Sequence, residues 1–277
     1  MTIEEFLINS QKKLKSVNIA TARLDSLILL ETVLKKDRAW LLANQDYVLR
    51  QANYRKLNKL LDLRLTYMPI AYITKSIEFY GHTFFVNNKV LVPRPESEDM
   101  IELLIEALGP NSNFGYEEPA IKLIDIGTGS GVLGITAKLL YPKLVVDLVD
   151  IDKNALKIAK FNVDKFTLDI NISQGDLLAD KPKGYDIVFA NLPYVPDKYQ
   201  INEDAKYEPK HAIFAGKIGT ELYRSLFMQL QNKANKPLYI LIESFPWQHK
   251  EITAFALVSG YKHYKTQGYV VAYKLDG

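Results

Sequence analysis

From Ile121 onward the chain alternates apolar runs with amphipathic stretches, and its first junction reads Asp125-Ile126-Gly127-Thr128-Gly129-Ser130-Gly131. No other feature restricts the fold as strongly. Ile121–Ile126, Leu144–Val149, Ile170–Ser173, Tyr185–Ala190 and Leu238–Ile242 read as strands. Ser130–Leu140, Asn154–Val163, Ile218–Leu230 and Gln248–Val258 read as helices. Such alternation predicts an α/β, mostly parallel sheet covered on both faces. His263–Thr266 and Tyr269–Lys274, split by Gln267-Gly268, close it as an antiparallel hairpin. The glycines at the first junction let the backbone turn sharply and admit a ligand where a Cβ would clash. The helix that follows offers free N–H groups to an anion.

The rest of the chain divides around this region. Residues 1–75 read as a helical bundle. Phe6, Leu7, Leu14 and Val17 fall at helical spacing, as do Leu24, Leu27, Ile28, Leu30 and Leu34, and then Leu57, Leu60, Leu61 and Leu65. No glycine precedes Gly81, and the first proline is Pro69. Residues 77–92 change to a short β-hairpin pattern, stopped by Pro93-Arg94-Pro95, and Glu96–Leu108 reads as a helix followed by a loop at Gly109–Asn113. The expected domains are 1–75, a linker at 76–95, and 96–277.

Composition narrows the function. There are no cysteines, and the four histidines are scattered without ligand-like spacing, so no metal site is expected. The acidic N-terminus lacks a signal-peptide pattern, and no apolar run approaches the ~20 residues of a membrane span. A cytoplasmic protein without a membrane partner is the expectation. The net charge of +3 hides an asymmetry: residues 1–75 carry 13 Lys+Arg against 7 Asp+Glu, and residues 76–277 carry 22 against 25. The basic bundle suits an acidic partner or RNA, although a solvated helical surface explains the charge as well.

Two chemistries are compatible with the glycine loop. Gly129-Ser130-Gly131-Val132-Leu133-Gly134 satisfies the weak dinucleotide pattern. S-adenosylmethionine fits better, because Asp125 stands where an acid can meet an ammonium, for which a pyrophosphate has no use. Asp150, with Ile151, is placed to accept from ribose hydroxyls. Asp176, with Leu177, is placed to accept from an adenine amino group. A second motif, Asn191-Leu192-Pro193-Tyr194, follows the strand-like run Tyr185–Ala190. An amide, a stiff proline and an aromatic ring at a strand's end suit a planar nitrogen group. The two motifs together point to methyl transfer onto an amino nitrogen.

These residues resemble the protein N5-glutamine methyltransferases of the HemK/PrmC type, which act on the Gly-Gly-Gln glutamine of class 1 peptide-chain release factors. The resemblance runs from Pro69 onward. Pro69–Thr74, Glu78-Phe79-Tyr80-Gly81 and Val92-Pro93-Arg94-Pro95-Glu96-Ser97-Glu98 look like the family's linker and proline-rich loop. Asp125–Gly131 looks like its cofactor loop, Asn191–Tyr194 like its Asn-Pro-Pro-Tyr signature, and Tyr207-Glu208-Pro209 and Glu243 fall at matching places. Leu192 replaces the first signature proline, Ser97 a threonine and Lys75 a glycine, and Phe214–Gly219 lacks the usual Gly-Gly-x-Asp-Gly.

The resemblance implies a Rossmann-like class I S-adenosylmethionine-dependent methyltransferase domain behind a substrate-recognising helical bundle and hairpin linker. It implies S-adenosylmethionine held by Asp125, Gly127, Thr128, Gly129, Gly131, Asp150, Ile151, Asp176, Leu177 and Asn191, with S-adenosylhomocysteine as product. Substrate would meet Arg94, Pro95, Glu96 and the catalytic Asn191, Leu192, Pro193 and Tyr194. The Asn191 side-chain oxygen and the Leu192 carbonyl would accept from the two amide N–H bonds, and Tyr194 would pack on the amide plane. The expected partner is a class 1 release factor, met by a monomer, with no direct nucleic-acid substrate. Methylation of an exocyclic base amine is the alternative, against which the net −3 of the catalytic region argues; a ribosomal-protein glutamine is another. A nicotinamide oxidoreductase would leave Asn191–Tyr194 without a role, and a non-catalytic binding module is the remaining reading.

Overall fold

The computed structural model describes residues 1–109, 120–179, 184–231 and 233–276. They form two compact units, Met1–Ser76 with Ile201–Tyr207, and Ile77–Gln200 with Glu208–Gly277.

The first unit is helical: α1 Ile3–Ser16, α2 Ala22–Leu34, α3 Arg38–Ala43, α4 Gln51–Leu65 and α5 Ile70–Thr74. Thr2 and Glu5 start α1 with a capping box, each side chain accepting from the other's backbone N–H, at 3.2 and 2.9 Å. Phe6, Leu14, Leu29, Leu30, Leu57 and Leu61 fill the core. Three of these helices are those the apolar spacing predicts. The short α3 and α5 span too few turns to show a period. Lys75 ends α5 at φ +58°, a left-handed cap, which explains why a glycine suits this position. The return of residues 201–207 to this unit was not expected. Its anchor is the buried Arg64, whose Nε donates to Asp25 (2.6 Å) and whose Nη2 pairs with Asp204 (2.9 Å).

The second unit holds a two-stranded sheet, β1 Ser76–Phe79 with β2 His82–Phe85, and a seven-stranded sheet. The large sheet contains β3 Lys122–Ile126, β4 Val145–Asp150, β5 Asn171–Gln174, β6 Ile187–Ala190, β7 Tyr239–Glu243, β8 Tyr261–Gln267 and β9 Val270–Leu275. Their order is β5-β4-β3-β6-β7-β9-β8, with β5 through β7 parallel and the β8–β9 hairpin antiparallel. Helices α6 Glu98–Leu108, α7 Val132–Leu140, α8 Lys153–Lys165, α9 Glu221–Gln231 and α10 His249–Val258 cover it.

Strand side chains alternate between faces, which sorts the core into two layers. Leu123, Leu148, Ile187, Phe189 and Leu241 pack with α6, α7 and α8. Ile124, Val149, Val188, Ala190 and Ile242 pack with α9 and α10. The expected α/β architecture is thus present. The strand order reverses between β3 and β6, and such a switch opens a crevice at the strands' carboxyl ends.

Three boundaries differ from expectation. Residues 89–92 form no strand but an irregular stretch. The helix expected from Ile218 begins at Glu221, because the Glu221 carboxylate accepts the N–H groups of Ile218 (2.9 Å) and Gly219 (2.7 Å). The helix after the glycine loop begins at Val132, because Gly131 turns at φ +85° and its N–H donates back to Thr128 O. The loop expected at Gly109–Asn113 lies, beyond Gly109, outside the described residues.

Candidate active site

The crevice sits where the two motifs meet. β3 and β6 are paired neighbours in parallel register, Ile126 beside Ala190. The next residues, Gly127 and Asn191, therefore emerge side by side although 64 positions separate them. Gly127, Thr128, Gly129, Asp150, Ile151, Asp176, Leu177, Asn191, Leu192 and Pro193 all line one cavity. Gly127 adopts φ +67°, and a Cβ there would come within 2.9 Å of Leu192 Cδ2; at Gly129 a Cβ would meet nothing within 4 Å. The first glycine therefore makes room for the tetrapeptide, and the second leaves the cavity open.

The carboxylates divide by strand parity. Asp125 falls on the same face of β3 as Leu123, beneath α7, rather than at the crevice. It is fully buried, and its Oδ2 accepts from Thr128 Oγ1 (2.6 Å) and the Gly134 N–H (3.1 Å). Burial pushes its carboxyl up from 3.8 to about 6, against the pull of those two bonds. Asp125 is not on the cavity wall, and its carboxylate ties the loop to the helix. Asp150 is on the wall. Its Oδ2 accepts from Gly129 N–H (2.9 Å) and its Oδ1 from Asp152 N–H (2.9 Å). Burial raises its carboxyl too, and the two backbone bonds oppose that. Gly131, the other loop residue absent from the wall, packs against Ile135 and Leu148.

The tetrapeptide straddles the sheet in the same way. Leu192 is buried in the α9–α10 layer, so the side chain standing where a proline is usual fills space against Gly127. Asn191 falls on the opposite face. Its Nδ2 donates to Ser97 Oγ (3.1 Å) and Glu243 Oε2 (3.0 Å). Tyr194 does not line the cavity. Its hydroxyl donates to Glu243 Oε1 (3.0 Å), and its ring meets Phe245 edge-on, centroids 5.1 Å apart. Gly219 approaches so closely that a Cβ would lie 2.2 Å from the Tyr194 carbonyl, while Gln248 Nε2 donates to that carbonyl (2.8 Å). The 214–219 segment therefore braces the tetrapeptide from behind.

Arg94, Pro95 and Glu96 are also off the cavity wall. Arg94 pairs instead with the buried Glu208, its Nη2 donating to both carboxylate oxygens at 2.9 and 2.8 Å. This joins the proline-rich loop to the Glu208-Pro209 segment. Sequence reading missed Lys89–Leu91 and His211–Ala212 as cavity wall. No residue type marks those segments, and only chain folding brings them there. It also left Glu243 without a role, although an acid at the end of an apolar strand was the available signal.

Comparison with known proteins agrees with this geometry. Residues 5–74 match the PrmC N-terminal domain, and residues 100–208 match the methyltransferase small domain. Over 269 residues the chain is 34% identical to a release factor glutamine methyltransferase of Mycoplasma mycoides, covering 94% of this chain and 92% of the relative. The chain belongs to the release factor glutamine methyltransferase family. Another release factor glutamine methyltransferase, from Coxiella burnetii, is 30% identical over 264 residues, covering 95% of this chain and 92% of the relative. Among solved structures, a T. thermophilus 16S rRNA N2 methyltransferase in complex with AdoMet and guanosine shares the fold, with TM-score 0.53 and 16% identity over 73% of this chain and 50% of that one.

Proposed function

We infer that this chain transfers a methyl group from S-adenosylmethionine to the side-chain amide nitrogen of the Gly-Gly-Gln glutamine in class 1 release factors. The observation that carries the reading is one cavity lined together by Gly129, Asp150 and Asp176 and by Asn191 and Leu192. The donor set fits the nucleoside. Asp150 and Asp176 are acceptors for hydroxyl and amino groups, Leu177 gives an apolar wall, and the open face of Gly129 leaves room beside them.

When bound, S-adenosylmethionine supplies an activated methyl on a sulfonium. The amide nitrogen is a poor nucleophile because its lone pair is shared with the carbonyl. Asn191 Oδ1 and the Leu192 carbonyl answer this by accepting from the two N–H bonds, which aims the lone pair and stabilises positive charge as it grows on nitrogen. The Leu192 carbonyl is available for this. Tyr223 Oη lies 3.3 Å from it and also approaches the Glu243 carbonyl, and a carbonyl oxygen with two lone pairs can accept from a substrate N–H beside such a neighbour. The methylated nitrogen then sheds one N–H proton to solvent. The basic helical unit, residues 1–75, is the proposed second contact for the release factor, on its charge.

The test is incubation of the chain with S-adenosylmethionine and a class 1 release factor, with mass spectrometry of the Gly-Gly-Gln peptide. A gain of one methylene on glutamine is expected, and Asn191→Ala should lower the rate by roughly 10²–10³ while cofactor binding persists. No gain with cofactor demonstrably bound refutes the reading. Methylation of an RNA or DNA oligonucleotide in its place establishes the base-amine alternative.

A further inference from the structure

Glu243 ends β7 and lies 2% exposed in the core, a place where a carboxylate is costly unless it does something. Its position follows from register. β6 and β7 run parallel with Phe189 beside Leu241 and Ala190 beside Ile242. One step further on, Asn191 and Glu243 are cross-strand neighbours on the same face. Ser97 comes to that face from the turn that opens α6.

Three donors converge on this carboxylate: Ser97 Oγ (2.5 Å) and Asn191 Nδ2 (3.0 Å) on Oε2, and Tyr194 Oη (3.0 Å) on Oε1. An amide can be turned either way, and sterically its two ends are alike. Here the neighbours make the choice: Ser97 Oγ gives its proton to Glu243 Oε2, so both oxygens present lone pairs to the amide. The Nδ2 group must face Glu243, and its second hydrogen goes to Ser97 Oγ (3.1 Å). Asn191 Oδ1 is left with no donor among the described residues, on a side chain that lines the cavity. The reverse orientation would turn an N–H₂ group toward the substrate's own N–H bonds.

We propose that Glu243 is a positioning residue: by accepting from Asn191 Nδ2 at 3.0 Å it holds the Asn191 amide with Oδ1 toward the cavity, so that the site presents an acceptor to the substrate nitrogen. This rests on the function inferred above. It also assigns the tetrapeptide's tyrosine, whose hydroxyl steadies Glu243 rather than touching substrate. Ser97 preserves the hydroxyl that a threonine would supply and discharges the same duty. Burial raises the Glu243 carboxyl, and the bonds from Ser97 and Tyr194 oppose this.

If placement is what matters, reach counts for more than charge. Glu243→Asp keeps the charge but withdraws the oxygens by one methylene from Asn191. Glu243→Gln loses the charge but keeps an acceptor oxygen at the same reach, with its Nε2 turned to the Tyr194 hydroxyl oxygen. Steady-state kinetics on release factor, calorimetric S-adenosylmethionine binding and a thermal melt are measured for both. For E243D, kcat should fall by about 10–100-fold, the order expected for a misaimed charge-stabilising group, with cofactor affinity unchanged. E243Q should recover most of that loss.

A folded E243D that turns over at the wild-type rate overturns the proposal. So does E243Q falling as far as E243D, because charge would then be the operative property. If E243D does not fold, Ser97→Ala decides in its place. It removes the second acceptor of Nδ2 together with one of the three donors to Glu243, and an unchanged kcat there overturns the proposal equally. Wild-type protein that binds cofactor but leaves release factor unmethylated overturns the functional reading instead, so the two failures are distinguishable.

Discussion

Asp125→Asn separates the structural duty of residue 125 from its charge. An asparagine oxygen can accept from both Thr128 Oγ1 and the Gly134 N–H, as Asp125 Oδ2 does, so the tie between loop and α7 survives. What disappears is the cost of ionising a carboxyl sealed beneath that helix. Burial moves its pKa from 3.8 to about 6, and neighbouring Asp150 adds in the same direction. The folded protein therefore holds this proton more tightly than the unfolded chain does. The stability this gives is whole below the unfolded value and is lost as pH rises through about 6. At ~1.36 kcal/mol for each unit of pKa difference, the full loss is about 3 kcal/mol, of which about 2.5 kcal/mol falls between pH ~4 and pH ~8. Asp125→Asn does not suffer it. Urea denaturation of both proteins across that range gives two stability curves, and groups titrating alike in both cancel on subtraction. The mutant-minus-wild-type difference should climb by about 2.5 kcal/mol, mostly below pH ~6.5, and then level off. The cost of burying the new N–H₂ group is a constant offset. A difference that stays flat or falls as pH rises would falsify the claim that this carboxyl is held neutral-leaning by burial.

Gly127→Ala should destabilise the fold by roughly 1–3 kcal/mol, from its φ of +67° and the 2.9 Å approach to Leu192 Cδ2, and Leu192→Ala in the same chain should return only the steric part, as read from denaturation midpoints. Equal and additive losses in the double mutant would show that the two residues do not press on each other. Arg94→Met withdraws the cation from Glu208, whose side chain is 1% exposed against 38% for Arg94. The expected loss is about 2 kcal/mol, below the roughly 3–5 kcal/mol of a fully buried pair because solvent screens the exposed side. A thermal melt matching wild type would mean that Glu208 is satisfied without it.

The layers of the second unit were legible because central strands such as β6 and β7 are buried on both faces, a pattern left by helices above and below. The pairing of glycine loop and tetrapeptide was legible for a chemical reason: each is a poor structural choice that a ligand explains. The face taken by Asp125 was not legible, because an acid at a strand's end looks the same whichever face it takes. Whether it points to the crevice or under α7 depends on the parity it shares with Leu123 and on where α7 lies. The hydroxyl contact of Tyr194 was equally hidden, since its acceptor Glu243 lies 49 positions away. Arg94 became a brace for the same reason, its partner Glu208 lying 114 positions away.

What the sequence by itself determined was local and periodic: strands, helices, turn positions and the kinds of groups that could serve a methyl donor and an amide. These depend on neighbours a few residues apart, and the residue types carry that information directly. What only the tertiary structure decided was orientation. The register of β6 against β7 sets Glu243 beside Asn191, and the Glu243 and Ser97 oxygens that accept from Nδ2 then settle which end of that amide faces the cavity. No spacing along the chain contains that choice, because it arises from two strand ends whose side chains meet only after the sheet has formed.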